Sequence, residues 1–291
     1  SAEMAPRCVW IDQIGDLPAG GKARGLARLR TLSLPVPEAF VVVGASLGRL
    51  PTDLLQHYAR LGEGKVAVRS SAGDEDGSQA SFAGQYCTVL DVQGQEDLKL
   101  AIERCLASTG DISVRSYRGA RTGAEPATMS VVVQRMVQAQ SAGVLFTVDP
   151  VLGRRDCVVI DAVRGLGDAL VSGRATPDHH VLPRQGGPVL RQRLAGERPV
   201  LSLAQLDDLR RQALDAECEA GGPLDMEWAF DAGGKLAWLQ ARPVTSLPAD
   251  PNALDDPSPA PARVYTRCNI GEMMPGAVSP LTFSVTARGI D

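Results

Sequence analysis

Two groups of polar residues in this sequence have the types and spacing to bind phosphate or a metal ion. The first group begins with Val68-Arg69-Ser70-Ser71 and continues through a loop rich in Gly, Asp and Ser to Ser81-Phe-Ala-Gly84-Gln85. Arg69 closes a buried strand, so its guanidinium would be held rigidly where two parallel hydrogen bonds can reach phosphate oxygens. Gly84 has no side chain to keep a ligand from the backbone. The same residues could instead form an Arg–Asp pair that stabilises an ordinary loop.

The second group lies on two short segments, Asp225-Met-Glu227 and Gln240-Ala-Arg242. Residues two apart on a strand face the same side, so these segments can present four polar side chains on one face of a sheet. Carboxylate and amide oxygens that face each other are ligands that Mg²⁺ accepts together with the phosphates of ATP. The alternative interpretation is a solvent-facing side of the sheet with cross-strand charge pairs.

Helices and strands are predicted around the first group. A glycine pair precedes a helix that ends before Pro35, and a second, short helix is expected over 53–61. Residues 95–121 are predicted to be helical with two breaks. Strands are predicted at 39–43, 65–69 and 82–92.

From residue 129 onward the pattern favours strands. A helix is predicted over 203–219 with Ser202 as its N-cap, and Asp231-Ala-Gly-Gly234 is typical of a hairpin turn. The predicted class is therefore α+β with a largely antiparallel second half. Proline-rich residues 246–263 have a linker composition, so we expect a chain cut from a longer polypeptide. The predicted strands are 129–137, 143–148, 157–162, 179–183, 189–194, 225–230 and 235–241.

Length and composition exclude several classes of protein. The chain has 291 residues, of which 44% are apolar and 22% charged, and this is typical of a globular protein of about two domains. No apolar run reaches the roughly 18 residues of a membrane span, and the first residues lack a secretory pattern. The formal net charge of −4 comes without a basic segment. We expect a soluble, cytoplasmic protein with no membrane or nucleic-acid partner.

Common metal-binding and nucleotide-binding fingerprints do not occur in the sequence. The six cysteines form no C-x-x-C pair and the three histidines have no zinc-ligand spacing, so the cysteines are interpreted as thiols in a reducing cytosol. Gly21-Lys22 is followed by Ala23 rather than Ser or Thr, so it is not a P-loop, and there is no G-x-G-x-x-G.

Six motifs, taken in order, resemble those of the N-terminal ATP-grasp domain of the phosphoenolpyruvate synthase and pyruvate phosphate dikinase family. The similarity covers roughly residues 15–247, and stretches 159–173 and 269–282 are more similar to the rifampicin phosphotransferase branch. The motifs are Gly20-Gly-Lys22, Val68-Arg-Ser-Ser71 with Ser81-Phe-Ala-Gly-Gln85, Val131-Val-Val-Gln-Arg-Met-Val137, Ala142-Gly-Val-Leu-Phe-Thr147, Gly165-Leu-Gly-Asp-Ala-Leu-Val-Ser-Gly173 with Pro177-Asp178, and Asp225-Met-Glu-Trp228 with Gln240-Ala-Arg-Pro243.

The resemblance implies an α+β ATP-grasp fold, in which two lobes hold the nucleotide in the cleft between them. Lobe one would span residues 1–125 and lobe two residues 126–247. Residues 248–291 would be the proline-rich linker and the start of a truncated downstream domain.

The resemblance also implies which residues bind the nucleotide. Lys22, Arg69 and Arg242 would bind the phosphates of ATP and act in catalysis. Gly84 and Thr88 would lie along the nucleotide.

Further residues are implied for the metal and for adenine. Glu227 and Gln240 would hold Mg²⁺, and Asp225 would lie beside the phosphates. The strand edge that reads adenine would contain Gln134, Met136 and Val137.

The family transfers the β-phosphoryl group of ATP to a histidine on a mobile domain, releasing AMP and phosphate, and the histidine passes the group to a substrate. The resemblance therefore implies phosphoryl transfer by positioning and charge neutralisation, with an antibiotic-like or natural-product hydroxyl as acceptor. Pyruvate is the alternative acceptor. A stand-alone, non-catalytic nucleotide-binding module and an ATP-grasp ligase that yields ADP are alternatives of other classes.

The sequence departs from the family in two respects. No Ser-His motif of the swivelling domain occurs, so the chain alone is expected to bind ATP without completing the reaction. His57 is expected at the surface, and His179 and His180 are expected to be structural. The interval from Lys22 to Arg69 is much shorter than in the family, and from this we expect weaker ATP binding or a more open lobe.

Overall fold

The computed structural model describes residues 4–72, 87–119, 129–165 and 176–251. The chain divides into two compact units, which we call the N-terminal unit, Ser1–Met136, and the C-terminal unit, Val137–Asp291. The division falls later than residue 125, because the strand Met129–Arg135 pairs with two strands of the N-terminal unit. The start of a downstream domain, predicted after the linker, lies outside the described residues.

The N-terminal unit is built on a five-stranded antiparallel sheet with the order β1-β2-β5-β3-β4, so β5 is its central strand. The strands are β1 (Arg7–Trp10), β2 (Ala39–Val43), β3 (Val66–Ala72), β4 (Thr88–Val92) and β5 (Met129–Arg135). The helices are α1 (Gly20–Thr31), α2 (Leu54–Arg60) and α3 (Gln95–Gly119).

The two faces of this sheet pack against different helices. Val68 of β3 and Val133 of β5 are buried in one core with Tyr58 of α2 and Ile102 of α3. Because successive strand residues point to opposite faces, Arg69 and its neighbours on β3 face the other side of the sheet. Helices α2 and α3 therefore cover one face, and α1 contacts β3 on the other.

Helix α1 is fixed at its first turn by a residue of β3. Its N-cap residue, Ala19, makes no side-chain cap. Instead, Ser71 Oγ donates to the carbonyl oxygen of Ala19 (2.9 Å) and accepts from the amide of Ala23 (3.3 Å). Gly20 has φ +80°, and a Cβ there would lie 2.5 Å from the backbone of Ser71, so only glycine fits. This close contact positions Lys22 in the first turn of α1.

The C-terminal unit contains a six-stranded antiparallel sheet with the order β11-β10-β6-β7-β8-β9. Its helix α4 (Leu203–Ala220) begins with a complete capping box between Ser202 and Gln205. The strands are β6 (Ala139–Phe146), β7 (Cys157–Arg164), β8 (Asp178–Pro183), β9 (Arg191–Arg193), β10 (Leu224–Asp231) and β11 (Leu236–Pro243).

One face of this second sheet carries large aromatic side chains and contacts α4. Trp228 and Trp238 are paired on β10 and β11 and are fully buried. The indole nitrogen of Trp238 donates to the side chain of Gln212 on α4 (2.8 Å). Gly143 on β6 is paired with Trp228, and a Cβ there would overlap the carbonyl oxygen of Asp161 and lie 2.6 Å from the Trp228 ring.

Most of the predicted elements are confirmed. The α+β class, the Ser202 N-cap and the turn Asp231-Ala-Gly-Gly234 occur as expected, the last with a hydrogen bond from the amide of Gly234 to the carbonyl oxygen of Asp231. The two breaks predicted within 95–121 are wrong, since Gln95–Gly119 forms one helix. The predicted strand 129–137 ends earlier, at Arg135.

Candidate functional site

Two cations of the N-terminal unit are buried beside strand β3. Lys22 is 4% exposed and Arg69 is 5% exposed. The ammonium group of Lys22 donates to the carbonyl oxygen of Ser70 (3.1 Å), the residue that follows Arg69. Charges are costly to bury, so two such cations at one place indicate a region suited to anions.

Polar residues from three adjacent strands share the face that carries Arg69. Arg69 is directly opposite Thr88 on β4 and Val132 on β5, and Gln134 is two residues further along β5. Directly paired residues project to the same face, so Arg69, Thr88 and Gln134 lie on one side of the sheet. The structure thus brings together three residues predicted from separate motifs.

Two polar atoms on this face are buried without a hydrogen-bond partner among the described residues. They are the hydroxyl oxygen of Thr88 and the amide nitrogen of Gln134. A buried polar group left unpaired costs about 1–3 kcal/mol. A ligand with both donor and acceptor groups would remove this cost, so the face fits a polar, anionic ligand such as a nucleotide.

The adenine-reading segment differs from the prediction. Gln134 is on the central strand β5, between β2 and β3, so it does not lie at a sheet edge. The edge was wrongly predicted because strand order is not visible in the local sequence. Met136 follows the end of β5, and its amide donates to the carbonyl oxygen of Lys65 (3.0 Å). Val137 is the first residue of the C-terminal unit. Gly84 and the acidic loop 74–76 lie outside the described residues.

In the C-terminal unit, the second predicted group is assembled by the pairing of β10 with β11. Glu227 is opposite Gln240, and Asp225 is opposite Arg242. The guanidinium Nε of Arg242 donates to Asp225 Oδ2 (3.0 Å). Four polar side chains therefore lie on one face, as the spacing predicts.

These side chains do not form a solvent-facing surface. Glu227 is 1% exposed and Gln240 is 3% exposed, and Asp225 is also buried. The solvent-facing interpretation is therefore wrong for these three residues, although the cross-strand charge pair between Asp225 and Arg242 does form. A buried carboxylate oxygen and a buried amide oxygen on neighbouring strands are a donor set that suits Mg²⁺.

An acid–histidine pair on the same face was missed by the sequence reasoning. Glu227 is paired with Val144, Val144 with Asp161, and Asp161 with His179. The Nδ1 atom of His179 lies 2.7 Å from Asp161 Oδ1. The sequence signal was the alternation of side chains along each strand. This alternation places Asp161 and His179 on one face only when the register of β7 with β8 is known. His180 faces the other side, where burial lowers its pKa.

The prediction for His57 is wrong. Its side chain is only 13% exposed, and its ring packs against Trp10 (5.1 Å between centroids) and Phe40 (5.4 Å). The fold also brings His57 together with Cys8 and Asp53, whose ligand atoms lie within 4.8 Å of one another. The ring nitrogen Nδ1 of His57 is 3.0 Å from the carbonyl oxygen of Asp53, which gives this cluster a structural explanation.

Most of the chain is similar in sequence to a known protein family. Residues 46–198 and 193–256 match the family described as the pyruvate phosphate dikinase, AMP/ATP-binding domain. The chain belongs to this family. The matched part of this AMP/ATP-binding domain includes Arg69, Thr88, Gln134, Glu227 and Gln240, whereas Lys22 precedes it. The resemblance seen in the motifs is confirmed.

Relatives of the AMP/ATP-binding domain are larger proteins. This chain is 37% identical to a rifampicin phosphotransferase of Streptomyces sp, over 98% of this chain and 34% of the relative. It is 31% identical to the prodigiosin synthesizing transferase of Serratia marcescens, over 91% of this chain and 36% of the relative. It is 29% identical to a probable phosphoenolpyruvate synthase of Methanocaldococcus jannaschii, over 82% of this chain and 26% of the relative. The chain thus spans about a third or less of these relatives. Every helix in the described ranges is too short or too polar to cross a membrane.

Proposed function

We propose that this chain binds MgATP for phosphoryl transfer, with Lys22 and Arg69 on the phosphates and Glu227 and Gln240 on the metal. The observation that carries the proposal is the face of the N-terminal sheet, where two buried cations lie with two polar atoms that lack partners among the described residues. A triphosphate offers anionic oxygens for the cations. Membership of an AMP/ATP-binding family supports the same ligand.

The other residues on this face have complementary roles in the proposal. The hydroxyl of Thr88 would hydrogen-bond along the nucleotide, and Gly84 would let the backbone approach it. The amide of Gln134 would donate to an adenine ring nitrogen. Met136 and Val137, which follow β5, would border the base.

The donor set on β10 and β11 fits a magnesium ion. Glu227 and Gln240 each offer a side-chain oxygen from neighbouring strands, and Mg²⁺ binds through a few protein oxygens together with phosphates. When bound, the ion would neutralise negative charge on the phosphates. Arg242, oriented by Asp225, would bind phosphate oxygens as a second cationic contact.

In the whole protein, we propose that the two units are the lobes of an ATP-grasp domain in a dikinase-type transferase. The β-phosphoryl group would pass to a histidine on a separate swivelling domain, with release of AMP and phosphate, and then to an acceptor. The similarity to a rifampicin phosphotransferase favours an antibiotic-like or natural-product hydroxyl. Similarity to a probable phosphoenolpyruvate synthase supports pyruvate as the second candidate.

The binding proposal is tested by calorimetric titration of the 291-residue chain with MgATP. Arg69→Ala should weaken binding about 10- to 150-fold, because a charge-assisted phosphate contact contributes about 1.5–3 kcal/mol. The matched control is Arg211→Ala, since Arg211 is an exposed arginine of α4 and should leave affinity unchanged. Equal affinity of Arg69→Ala and the unsubstituted chain, with both folded, would remove Arg69 from the site.

The reaction class is tested by the nucleotide product. The full-length protein, incubated with MgATP and a candidate acceptor, should release AMP and phosphate. ADP as the only product would contradict the dikinase-type reaction and favour a ligase. The phosphorylated acceptor, identified by mass spectrometry, would separate a natural-product hydroxyl from pyruvate.

A further inference from the structure

Two cysteines of the N-terminal unit lie close together on the face of the sheet that α3 covers, opposite the face that carries Arg69. Cys105, on α3, is fully buried, and its Sγ lies 3.7 Å from the carbonyl oxygens of both Val68 and Cys87. Cys87 immediately precedes β4 and is partly exposed. Cys87 packs against the buried cluster that contains Cys105. Cys87 is therefore partly accessible from solvent, whereas Cys105 is enclosed in the core next to it.

The surroundings give the two thiols different chemical roles. A hydrogen bond from Cys105 lowers the pKa of Cys87 to about 7, opposed by burial and helped by the positive charges of Arg104 and Lys22. The hydrogen bond with Cys87 and burial raise the pKa of Cys105. A thiolate is the nucleophile in disulfide exchange, so Cys87 is the attacking sulfur and Cys105 the resolving one.

This pair differs from the other cysteines among the described residues. Burial raises the pKa of Cys8 and raises that of Cys157 to about 11, so neither is a ready nucleophile. Cys218 is exposed on α4. The cysteines among the described residues are all free thiols. Among the described cysteines, only Cys87 combines partial exposure with a lowered pKa and a neighbouring thiol.

Cys87 is also joined through Ser70 to the cations of the proposed site. Ser70 Oγ accepts from the amide of Cys87 (2.9 Å) and donates to its carbonyl oxygen (3.3 Å). The carbonyl oxygen of Ser70 accepts from the ammonium group of Lys22 (3.1 Å). Thr88 is the next residue after Cys87. Hydrogen bonds through Ser70 thus connect Cys87 to Lys22, and a peptide bond connects it to Thr88.

We propose that Cys87 and Cys105 form a thiol–disulfide exchange site for low-molecular-weight disulfides, and that closing their disulfide weakens ATP binding. The thiolate of Cys87 attacks one sulfur of the small disulfide, and a mixed disulfide forms as the first small thiolate leaves. Cys105 then loses its proton and attacks Cys87 Sγ, which expels the second small thiol. One small disulfide is reduced to two thiols, and the protein gains one disulfide.

Weaker ATP binding follows from geometry. An S–S bond is about 2.05 Å long, so the sulfurs must move closer together than in a hydrogen-bonded pair. This movement draws Cys87 toward α3, together with the Ser70 and Thr88 contacts. The second part of the proposal rests on the proposed ATP binding, whereas formation of the disulfide does not.

The experiment treats the folded 291-residue chain with glutathione disulfide and maps cross-links by mass spectrometry. We expect a Cys87–Cys105 disulfide that dithiothreitol reverses. Cys105→Ser should stop at the mixed disulfide on Cys87, and Cys87→Ser should give neither product. Cys218→Ser, the control for an exposed thiol, should leave the cross-link unchanged. Alkylation of Cys87 should be half-maximal near pH 7 in the unsubstituted chain and at a higher pH in Cys105→Ala, which lacks the hydrogen-bond donor.

The second readout is the affinity for MgATP of the oxidised and reduced chains. We expect the oxidised chain to bind at least threefold more weakly, and saturating MgATP to shift the exchange equilibrium toward the thiols by the same factor. A folded chain that yields no Cys87–Cys105 disulfide overturns the exchange site. A disulfide that forms but leaves affinity unchanged overturns the coupling. If the reduced chain does not bind MgATP, the proposed function and its coupling fail, while the cross-link still decides the exchange site.

Discussion

The N-terminal and C-terminal units hold the cations of the proposed site in different surroundings. Lys22 is buried and donates to the neutral carbonyl oxygen of Ser70. Arg242 donates to the carboxylate of Asp225, and that contact neutralises both charges. The comparison indicates that the N-terminal site is suited to an anion, whereas the C-terminal site combines carboxylate and amide oxygens for a cation.

The sheet that carries the C-terminal site depends on the absence of a side chain at Gly143. Gly143→Ala should destabilise the protein by about 3–5 kcal/mol, because the new Cβ would overlap the carbonyl oxygen of Asp161 and press on Trp228. Denaturant unfolding measures the loss. Gly196→Ala, where no atom lies within 4 Å of the added Cβ, is the control. A small effect of Gly143→Ala would show that β6 and β7 can move apart.

The ion pair between Asp225 and Arg242 should contribute to the free energy of unfolding. Arg242→Ala should cost about 2–4 kcal/mol, since it leaves the buried carboxylate of Asp225 without this partner. In the background of Asp225→Asn the same substitution should cost less. Arg154→Ala, which removes an exposed ion pair to Asp156, is the control and should cost less than about 1 kcal/mol. Equal losses for Arg242→Ala and Arg154→Ala would show that the Asp225–Arg242 pair contributes no more to stability than an exposed ion pair.

The metal dependence of ATP binding should separate the two sites. Glu227→Gln keeps the shape of the side chain and removes its charge, so it should abolish most of the gain in ATP affinity that Mg²⁺ provides, about tenfold or more. It should change affinity in EDTA by less than twofold. Arg69→Ala should lower affinity in both conditions. Titrations with and without Mg²⁺ measure this, and a Glu227→Gln chain with a full magnesium effect would contradict the ligand assignment.

The two hydroxyls that fix helix starts should also differ. Ser202→Ala removes the local cap of α4 and should cost about 1 kcal/mol without changing ATP affinity. Ser71→Ala should cost a similar amount and also weaken ATP binding severalfold, because Ser71 fixes the turn of α1 that contains Lys22. Paired unfolding and titration experiments measure both effects. Unchanged ATP affinity in Ser71→Ala would show that Lys22 does not depend on this contact.

Local sequence was sufficient to predict the structure where residues close in the chain make the contacts. The period of two placed Glu227 and Gln240 on one face, and the glycines after Asp231 identified the turn that brings their strands together. Likewise, Ser202 was identifiable as an N-cap because its partner, Gln205, is three residues away. In these cases the interacting groups are close in sequence, so spacing alone determines the contact.

Features that depend on distant strands were not predictable in this way. The central position of β5 follows from pairing with both β2 and β3, and neither pairing is encoded near Gln134. The Asp161–His179 pair requires the register of β7 with β8. The helix α3 continues through Gly110, although glycine weakens a helix. His57 on α2 is covered by Trp10, a residue of strand β1.

The hydroxyl of Ser71 has a consequence for how this chain can vary. A helix with its own cap can be replaced or transplanted as a unit, but α1 takes its first hydrogen bonds from a residue about fifty positions away. The glycine-containing turn at 19–23 and the segment 69–71 are therefore one structural element made of two pieces of chain. Related sequences should exchange these pieces only together, and a chimera that replaces one alone should misplace its lysine even if every other residue is retained.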